Sequence, residues 1–329
     1  MRLRRAGSTS LDKPRGFDFH LTASLYNFHW YYDGARLYLC HPSGVVEVRE
    51  ERGALRVTAY GELSACEAAE YASWSLGLDE DLNDFHESLV DDPILRYVPE
   101  KLTGLRVRSL SPWLASVVAV CQQRASFLQG WRMLYRLFDL YGRRVKLEGD
   151  GETLMPPSPS DILARPGGLR EARVGFRDRA LLGLARAFAE GLPCDDPGGF
   201  EENLVSIKGV GRYTARLARV LGLRSYEEPP IDDWTVKLVS EAFGVEPRAK
   251  EVETFLKERY GPYAGLAVLM YTVVLDAEVI GRALERVRKG LVYPLELERP
   301  TPLTLWRYRE FGREKNLRRR RIRDGKRRS

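Results

Sequence analysis

Apolar and polar residues alternate along much of the first 60 residues. This alternation predicts β-strands over residues 17–21, 27–32, 36–40, 45–49 and 55–60. The pair Asp33-Gly34, between the second and third segments, is a strong signal for a tight hairpin turn. The N-terminal part of the chain is therefore predicted to form an antiparallel sheet.

After about residue 62 the apolar residues recur at the period of a helix. Ser111-Pro112 has the residues of an N-cap and first helical position, which predicts a helix through residues 113–120. A second helix is predicted over 125–141, ending at Gly142, and the Gly- and Pro-rich stretch 142–158 is predicted to be a loop. Further amphipathic helices are expected at 176–190, 200–207, 212–222, 232–243, 247–260 and 262–288. The predicted fold class is α+β, with an N-terminal antiparallel β domain followed by a mostly α-helical core.

Charge is concentrated at the two ends of the chain. Residues 1–15 carry five Lys/Arg against one acid (+4), and residues 313–329 carry ten against two (+8), so the remainder is acidic within a net charge of +6. We therefore divide the chain into a basic arm (1–16), a β-rich domain with trailing helices (17–105), a helical core (106–298) and a basic tail (299–329). Basic ends favour phosphate binding, although a solubilising role fits the composition equally well.

Composition excludes several classes of protein. An apolar fraction of 44% excludes a disordered chain, and no apolar run is long enough to span a bilayer. The N-terminus lacks a signal peptide, so a cytoplasmic location is expected. The four cysteines are far apart without CxxC spacing, which predicts no metal site. Few Asn and Gln with many Arg and Glu are typical of a prokaryotic thermophile, but a GC-rich genome would give a similar Arg bias.

The most informative segment is residues 203–222, in which two helix-like stretches flank Gly209-Val210-Gly211. Glycines at such a turn let backbone N–H groups approach a phosphate, next to the N-terminus of a helix. The candidate backbone-binding residues are Lys208, Gly209, Val210, Gly211, Arg212 and Thr214. An ordinary packing corner between two helices is the alternative for a bare GxG, but the full pattern is more specific.

The run IKGVGRYTA (207–215), followed by PPIDDWTVKLV (229–239), resembles the helix-hairpin-helix (HhH-GPD) DNA glycosylase superfamily. The most similar branch is 3-methyladenine DNA glycosylase II, and 8-oxoguanine glycosylases share the broader layout. The resemblance covers roughly residues 17–290 and is strong at 204–239. It implies a monomeric enzyme that flips a damaged, alkylated purine out of double-stranded DNA and hydrolyses its N-glycosidic bond.

The resemblance also bears on cofactors. No cysteine follows Cys194, so the iron–sulfur loop of some relatives is missing. We expect no cofactor, while a structural monovalent cation at the hairpin is compatible with the family.

Two adjacent aspartates compete for the catalytic role. Asp233 has the spacing to Gly211 that the 3-methyladenine branch implies, and it places Val236 and Val239 at inward helical positions. It is the first choice, with Asp232 as runner-up and as an acid at the helix N-terminus. A carboxylate suits the reaction because positive charge develops on the deoxyribose. Without the hairpin, both acids would be read as ordinary N-capping residues.

The position of Tyr213 predicts the reaction type. Bifunctional relatives have a lysine there, and Lys208 precedes the turn, so the prediction is a glycosylase without lyase activity. Tyr213 and Trp234 are the candidate pocket aromatics. Gln122, Gln123 and Arg124 lie where the superfamily has its intercalating loop. Gln123 is a candidate wedge, with a plain surface-loop role equally open, and Arg124 a candidate phosphate contact.

Two further functions stay open. An enzyme of the same fold could act on hypoxanthine, on 8-oxoguanine, or on mismatched uracil or thymine. A noncatalytic DNA-binding module, which uses the hairpin only as a clamp, would bind DNA without releasing a base.

Overall fold

The computed structural model describes residues 1–311, and the predicted α+β fold class is confirmed over that range. The strands are β1 (Arg2–Leu3), β2 (Arg5–Asp12), β3 (Arg36–His41), β4 (Gly44–Glu51), β5 (Ala54–Gly61), β6 (Arg143–Leu147) and β7 (Glu152–Met155). The helices are α1 (Phe19–Ser24), α2 (Ala65–Leu76), α3 (Asn83–Glu87), α4 (Val98–Lys101), α5 (Pro112–Gln122), α6 (Phe127–Tyr141), α7 (Pro159–Ala164), α8 (Gly168–Glu171), α9 (Asp178–Ala189), α10 (Pro197–Ser206), α11 (Arg212–Leu223), α12 (Asp233–Phe243), α13 (Ala249–Tyr260), α14 (Ala264–Val274) and α15 (Ile280–Arg288).

The larger sheet is antiparallel, with strand order β2-β5-β4-β3, and a smaller sheet has the order β1-β6-β7. The three strands predicted at 36–40, 45–49 and 55–60 are confirmed as β3, β4 and β5. Both faces of β4 are buried, because Val46 packs in the cluster that contains Leu76 of α2, while Val45 packs with Leu3 and Leu147 of the small sheet. Successive side chains of a strand point to opposite faces, so one strand holds both layers.

The N-terminal residues are part of both sheets. β1 pairs in parallel with β6, where Arg2 lies opposite Lys146, and β2 pairs with β5 along its length. The prediction of a separate basic arm over 1–16 is therefore wrong for residues 2–12. β1 and β2 are edge strands of the two sheets, held by backbone pairing and by the side chains of Leu3 and Leu11, which pack against the buried clusters.

Three other predicted elements differ from the structure. Residues 17–21 form the start of α1, because the Asp18 carboxylate accepts a hydrogen bond from the Leu21 N–H at 2.8 Å and caps a helix. Residues 27–32 form no strand beyond one bridge between Tyr32 and Leu37. The predicted loop 142–158 contains the β6–β7 hairpin.

The helical core follows the predicted periodicity. The helices predicted at 113–120 and 125–141 are confirmed as α5 and α6, and Gly142 caps the second. α5 packs against α11, where a Cβ on Gly222 would lie 3.1 Å from the Ala115 Cβ, so glycine permits the close approach. The predicted helix 262–288 is divided into α14 and α15 by left-handed residues Asp276 and Ala277.

A buried arginine joins three of the helices. Arg216 of α11 is 7% exposed, and its guanidinium pairs with Glu201 of α10 at 3.1 Å and with Glu253 of α13 at 3.0 Å. Glu228, in the loop before α12, is a third partner at 2.5 Å. A buried guanidinium needs such partners because its charge has lost water, so this cluster fixes α10 and α13 relative to α11.

The described part of the predicted C-terminal tail is not an extended basic segment. Leu305 and Phe311 are buried in the helical core, and Tyr135 of α6 donates a hydrogen bond to the Arg309 carbonyl at 2.7 Å. The Trp306 ring packs edge-on against Tyr32 of the β domain, with centroids 4.8 Å apart. This segment therefore connects both domains. The strongly basic residues 313–329 lie outside the described residues.

Within residues 1–311, none of the helices combines the length and apolar character needed to cross a membrane.

We predict that Phe311→Ala lowers the free energy of unfolding by about 3–5 kcal/mol, because it leaves a cavity between the C-terminal segment and the helical core. Phe176→Ala is the matched control, since Phe176 is 62% exposed while Phe311 is 2% exposed. Guanidinium denaturation measures both variants. Equal midpoints for the two variants would contradict the packing role of the segment.

Candidate active site

The hairpin between α10 and α11 has the geometry that its glycines predict. Gly209 has φ +96°, a conformation that other residues rarely adopt, and a Cβ there would lie 3.3 Å from the Ala180 Cβ of α9. Gly211 is the N-cap of α11, and a Cβ on it would meet no atom within 4 Å. The first turn of α11 thus faces an unobstructed surface, as an anion-binding helix N-terminus requires.

Gln123 holds this hairpin from behind. It is buried, and its Nε2 donates to the Gly209 carbonyl at 2.9 Å and to the Thr214 Oγ1 at 2.8 Å. The Arg177 guanidinium donates in turn to the Gln123 carbonyl. The predicted wedge role of Gln123 is therefore wrong, and so is the surface-loop alternative. Its amide is used inside the protein, and Thr214 is a buried partner of that amide rather than an exposed DNA contact.

A cavity of about 420 Å³ opens beside the hairpin. Its walls are mainly aromatic and aliphatic and come from α5, α6, α11, α12 and α14. The rings of Tyr26 and Trp131 are nearly parallel, with centroids 5.8 Å apart. The main side chains around it are Tyr26, Arg108, Gln122, Phe127, Trp131, Tyr213, Asp232, Trp234 and Thr272.

The two aromatic residues proposed for the pocket, Tyr213 and Trp234, both line this cavity. The Trp234 indole is fixed by donating to the Glu278 carbonyl at 3.0 Å. Phe127 and Trp131 of α6 line it as well. Trp30 instead stacks on Tyr135 inside the helical core.

Asp232, not Asp233, lines the cavity. It is the N-cap of α12 and accepts hydrogen bonds from the Thr235 N–H and Oγ1, each at 2.8 Å. Thr235, Leu238 and Val239 are buried while Val236 is only half-buried, so burial along α12 fits the phase used to favour Asp233 at Val239 but not at Val236. The expectation that Asp233 faces the pocket is therefore not met. The argument failed because an N-cap residue has extended backbone and does not follow the helical phase.

Tyr213 is a neutral hydroxyl in the cavity wall. Burial raises the pKa of its phenol far above the ordinary value, and the negative charge of Asp232 adds to the effect. The cavity lining contains no lysine from residues 1–311, and Lys208 is exposed at the turn before the hairpin. No described side chain can therefore supply an amine nucleophile inside the cavity.

The three residues of the predicted intercalating loop have three different environments. Gln122 lines the cavity, Gln123 is buried against the hairpin, and Arg124 is exposed with a left-handed backbone at φ +43°. Arg124 is therefore the member of the loop that is free to contact DNA.

Sequence reasoning missed Phe176, which is 62% exposed on the turn before α9. The neighbouring Arg177 places its guanidinium carbon 4.4 Å from the Phe176 ring centroid and also contacts Gln123, so the ring stands next to the hairpin. A large exposed apolar ring beside a candidate DNA surface is a contact candidate. A single aromatic residue in a sequence gives no signal of whether its side chain is exposed or buried in the core.

Arg108 was missed as well. It is 8% exposed, yet it lines the cavity and forms no salt bridge with an acidic residue in the described range 1–311. In the sequence Arg108 lies close to Arg106, and only the structure shows that Arg108 lines the cavity.

Metal ligands do not gather in the described part of the chain. Residues 1–311 contain no group of three His, Cys, Asp or Glu side chains placed to hold a metal ion, and the four cysteines are free thiols.

Comparison with known proteins agrees with this geometry. No family model matches the chain. DNA-3-methyladenine glycosylase of Bacillus subtilis is 25% identical over 175 residues, covering 51% of this chain and 58% of that protein. The "Probable N-glycosylase/DNA lyase" of Methanothermobacter thermautotrophicus is 24% identical over 250 residues, covering 67% and 78%. The chain thus spans little more than half of the first relative.

Two solved structures share the fold. MBOgg1 in complex with a low-affinity DNA ligand has a TM-score of 0.65 at 18% identity, covering 88% of this chain and 99% of that one. The 3-methyladenine DNA glycosylase of Archaeoglobus fulgidus has a TM-score of 0.65 at 20% identity, covering 86% and 98%. The chain therefore has the helix-hairpin-helix DNA glycosylase fold, and the resemblance seen in its sequence is confirmed at that level.

We predict that Gln123→Ala destabilises the fold by about 1–3 kcal/mol, because the Gly209 carbonyl and Thr214 hydroxyl lose their buried partner. Binding to undamaged duplex DNA should weaken in parallel, as the hairpin loses its support. Gln122→Ala is the matched control, because the Gln122 amide nitrogen has no hydrogen-bond partner. Thermal unfolding and fluorescence anisotropy measure the two effects. Equal melting temperatures and equal DNA affinities of the two variants would show that Gln123 does not support the hairpin.

Proposed function

We propose that the chain is a monofunctional DNA N-glycosylase that hydrolyses the N-glycosidic bond of a damaged purine flipped out of duplex DNA. The observation that carries the proposal is the position of Asp232, a carboxylate at an aromatic cavity directly beside a backbone-binding hairpin. A noncatalytic clamp has no use for a carboxylate that lines such a cavity.

The hairpin and its neighbours supply the DNA contacts in this proposal. The amides of Gly209 to Gly211 and the N-terminus of α11 bind a phosphate of the damaged strand. Arg124 and Phe176 project from adjacent turns and fill or flank the space left by the flipped nucleotide. The protein then recognises DNA mainly through the sugar–phosphate backbone, so it can bind whatever the base sequence around the lesion is.

The cavity receives the flipped base. Its volume of about 420 Å³ lies in the range of small-molecule sites, roughly 300–1,000 Å³. The rings of Tyr26, Trp131 and Trp234 offer flat faces for a planar base.

The chemistry follows from charge. As the bond from C1′ to the base breaks, positive charge develops on the deoxyribose, and the Asp232 carboxylate stabilises it. Hydrogen bonds from Thr235 hold this carboxylate in place before the reaction starts, so no reorganisation is needed. A water molecule then adds to C1′. Tyr213 stays protonated because its pKa is raised. Its hydroxyl can donate a hydrogen bond, but it forms no covalent intermediate with C1′.

Two classes of lesion fit the cavity. Alkylated purines, expected from the sequence, are good leaving groups and need little more than aromatic walls and one carboxylate, and two relatives carry 3-methyladenine in their names. Neutral purines such as hypoxanthine and 8-oxoguanine are the second class, favoured by the positive charge of Arg108 in the wall.

We predict that Asp232→Asn lowers the single-turnover rate of base release by about 10²–10³-fold, because the charge facing the deoxyribose is lost. Asparagine caps helices as well as aspartate, so folding and DNA binding should be unchanged. The measurement uses duplexes with single defined lesions and alkaline cleavage of the abasic product. Asp233→Asn is the matched control and should keep full activity. If base release is lost in Asp233→Asn alone, the catalytic role belongs to Asp233. If the wild type releases no base, the protein is a noncatalytic DNA-binding module.

We predict that borohydride traps no protein–DNA adduct and that abasic strands stay intact without alkali, because the lysine position of bifunctional relatives holds Tyr213. The name of the Methanothermobacter relative includes a lyase activity, so the experiment distinguishes a monofunctional from a bifunctional enzyme. Lys208→Ala serves as the control. An adduct that disappears in this variant would show that the exposed lysine reaches C1′ and would overturn the monofunctional assignment.

A further inference from the structure

A second, smaller cavity adjoins the candidate active site. It measures about 70 Å³ and shares the side chains of Tyr26, Arg108 and Trp131 with the larger one. From there it extends toward the β domain, where Tyr31 and Ser109 line it. Arg108 therefore lies at the boundary between a base-sized cavity and a narrow polar extension.

Three polar side-chain atoms in the wall of this extension have no hydrogen-bond partner. Arg108 Nε, the Tyr31 hydroxyl and the Ser109 Oγ are buried and form no hydrogen bond. The guanidinium makes one contact, from Nη2 to the Leu25 carbonyl at 3.1 Å. Burial lowers the pKa of Arg108 to about 10, so it stays protonated at neutral pH. A buried charge and three unpaired polar atoms in one place are costly unless a ligand completes them.

A fourth unpaired donor lies in the wall of the larger cavity. The amide nitrogen of Gln122 is buried without a partner. The amide packs against Gly130 of α6, where any Cβ would collide with it. Glycine inside a helix is less favourable than alanine, so this position keeps space for the amide at a cost in stability.

These donors define a ligand by its chemistry. Arg108 Nε and the Gln122 amide nitrogen can only donate, so they select a molecule that carries hydrogen-bond acceptors, while the hydroxyls of Tyr31 and Ser109 can donate or accept. The guanidinium, which has no carboxylate partner, selects a molecule without positive charge. In a base-binding cavity, this describes a neutral purine with a carbonyl oxygen. A cationic alkylated purine would instead place its charge near Arg108.

On the basis of the proposed glycosylase function, we propose that Arg108 contacts the flipped base and makes the enzyme selective for neutral, carbonyl-bearing purines over cationic alkylated ones. Tyr31, Ser109 and Gln122 complete the polar contacts to the same base.

The reaction gives Arg108 a role in the chemical step. When the C1′–N9 bond of a neutral purine breaks, its electron pair stays on the base, which leaves as an anion. The water oxygen forms the new bond to C1′, and the proton it releases passes to Asp232 or solvent and then to the departing base. Arg108 stabilises the negative charge that forms on the base, while Asp232 faces the positive charge on the sugar. A cationic purine leaves as a neutral molecule and gains nothing from Arg108.

The test compares two classes of lesion in one enzyme. Single-turnover base release is measured on duplexes with hypoxanthine or 8-oxoguanine, and on duplexes with 3-methyladenine or 7-methylguanine. Arg108→Met removes the charge but keeps the length of the side chain. We expect it to slow release of the neutral bases by about 10²-fold or more and to leave release of the cationic bases unchanged or faster. Arg108→Lys, which keeps the charge, should restore part of the rate on neutral bases.

Tyr31→Phe gives a second readout that does not depend on the arginine. Its hydroxyl has no partner in the free protein, so the melting temperature should not fall. Release of neutral bases should nevertheless slow several-fold, with the cationic bases unaffected.

The outcomes separate this inference from the proposed function. If Arg108→Met releases neutral bases as fast as the wild type does, the role of Arg108 is refuted while the glycosylase assignment stands. If Arg108→Met slows both classes equally, the residue is structural and its unpaired atoms are hydrated by buried water. If the wild type releases no base from any duplex, the proposed function itself fails.

Discussion

The buried amide of Gln123 fixes the arrangement on which the candidate site depends. Its nitrogen holds the hairpin through Gly209 and Thr214, and the backbone carbonyl of Gln123 accepts a hydrogen bond from Arg177 beside the exposed Phe176. The same residue ends α5, whose neighbouring position, Gln122, lines the cavity. A buried amide must satisfy its hydrogen bonds, so these three surface turns cannot move independently. The hairpin and the cavity are thereby held in one fixed arrangement.

The site places opposite charges at different walls of one cavity. Asp232 is anchored by Thr235 at the N-terminus of α12, and Arg108 belongs to the segment before α5. Because Arg108 is buried, its charge acts more strongly than it would in solution. A reaction that separates charge between sugar and base suits such a field. Proteins that bind DNA only through its backbone have no need for it.

The sequence was most informative where local chemistry decides structure. The hairpin glycines, the Ser111-Pro112 helix start and the alternating strands β3 to β5 all follow from turn, capping and side-chain period rules. It failed where structure depends on distant partners. Residues 2–12 carry no apolar pattern because their strands are held by pairing with β5 and β6, far along the chain. Residues 27–32 alternate like a strand, yet their aromatic rings pack irregularly against α6.

For the candidate site, the sequence favoured Asp233, whereas the structure places Asp232 in the cavity lining. The choice turned on helical phase, which does not apply to an N-cap, so Asp233 was favoured over Asp232. Gln123 was expected to project outward because nothing in the sequence marks the hairpin as its partner 86 residues away. Arg108 could not be found either, since an unpaired buried charge is a property of its surroundings alone.

Arg124 illustrates how the fold prepares the protein for a partner. A non-glycine residue in the left-handed region costs about 1–3 kcal/mol, and the surrounding contacts of Gln123 maintain that conformation in the free chain. The loop has therefore lost its backbone freedom during folding rather than during association. In the proposed glycosylase, encounter with a duplex then costs less entropy, so a larger share of the contact energy is available for extruding a base.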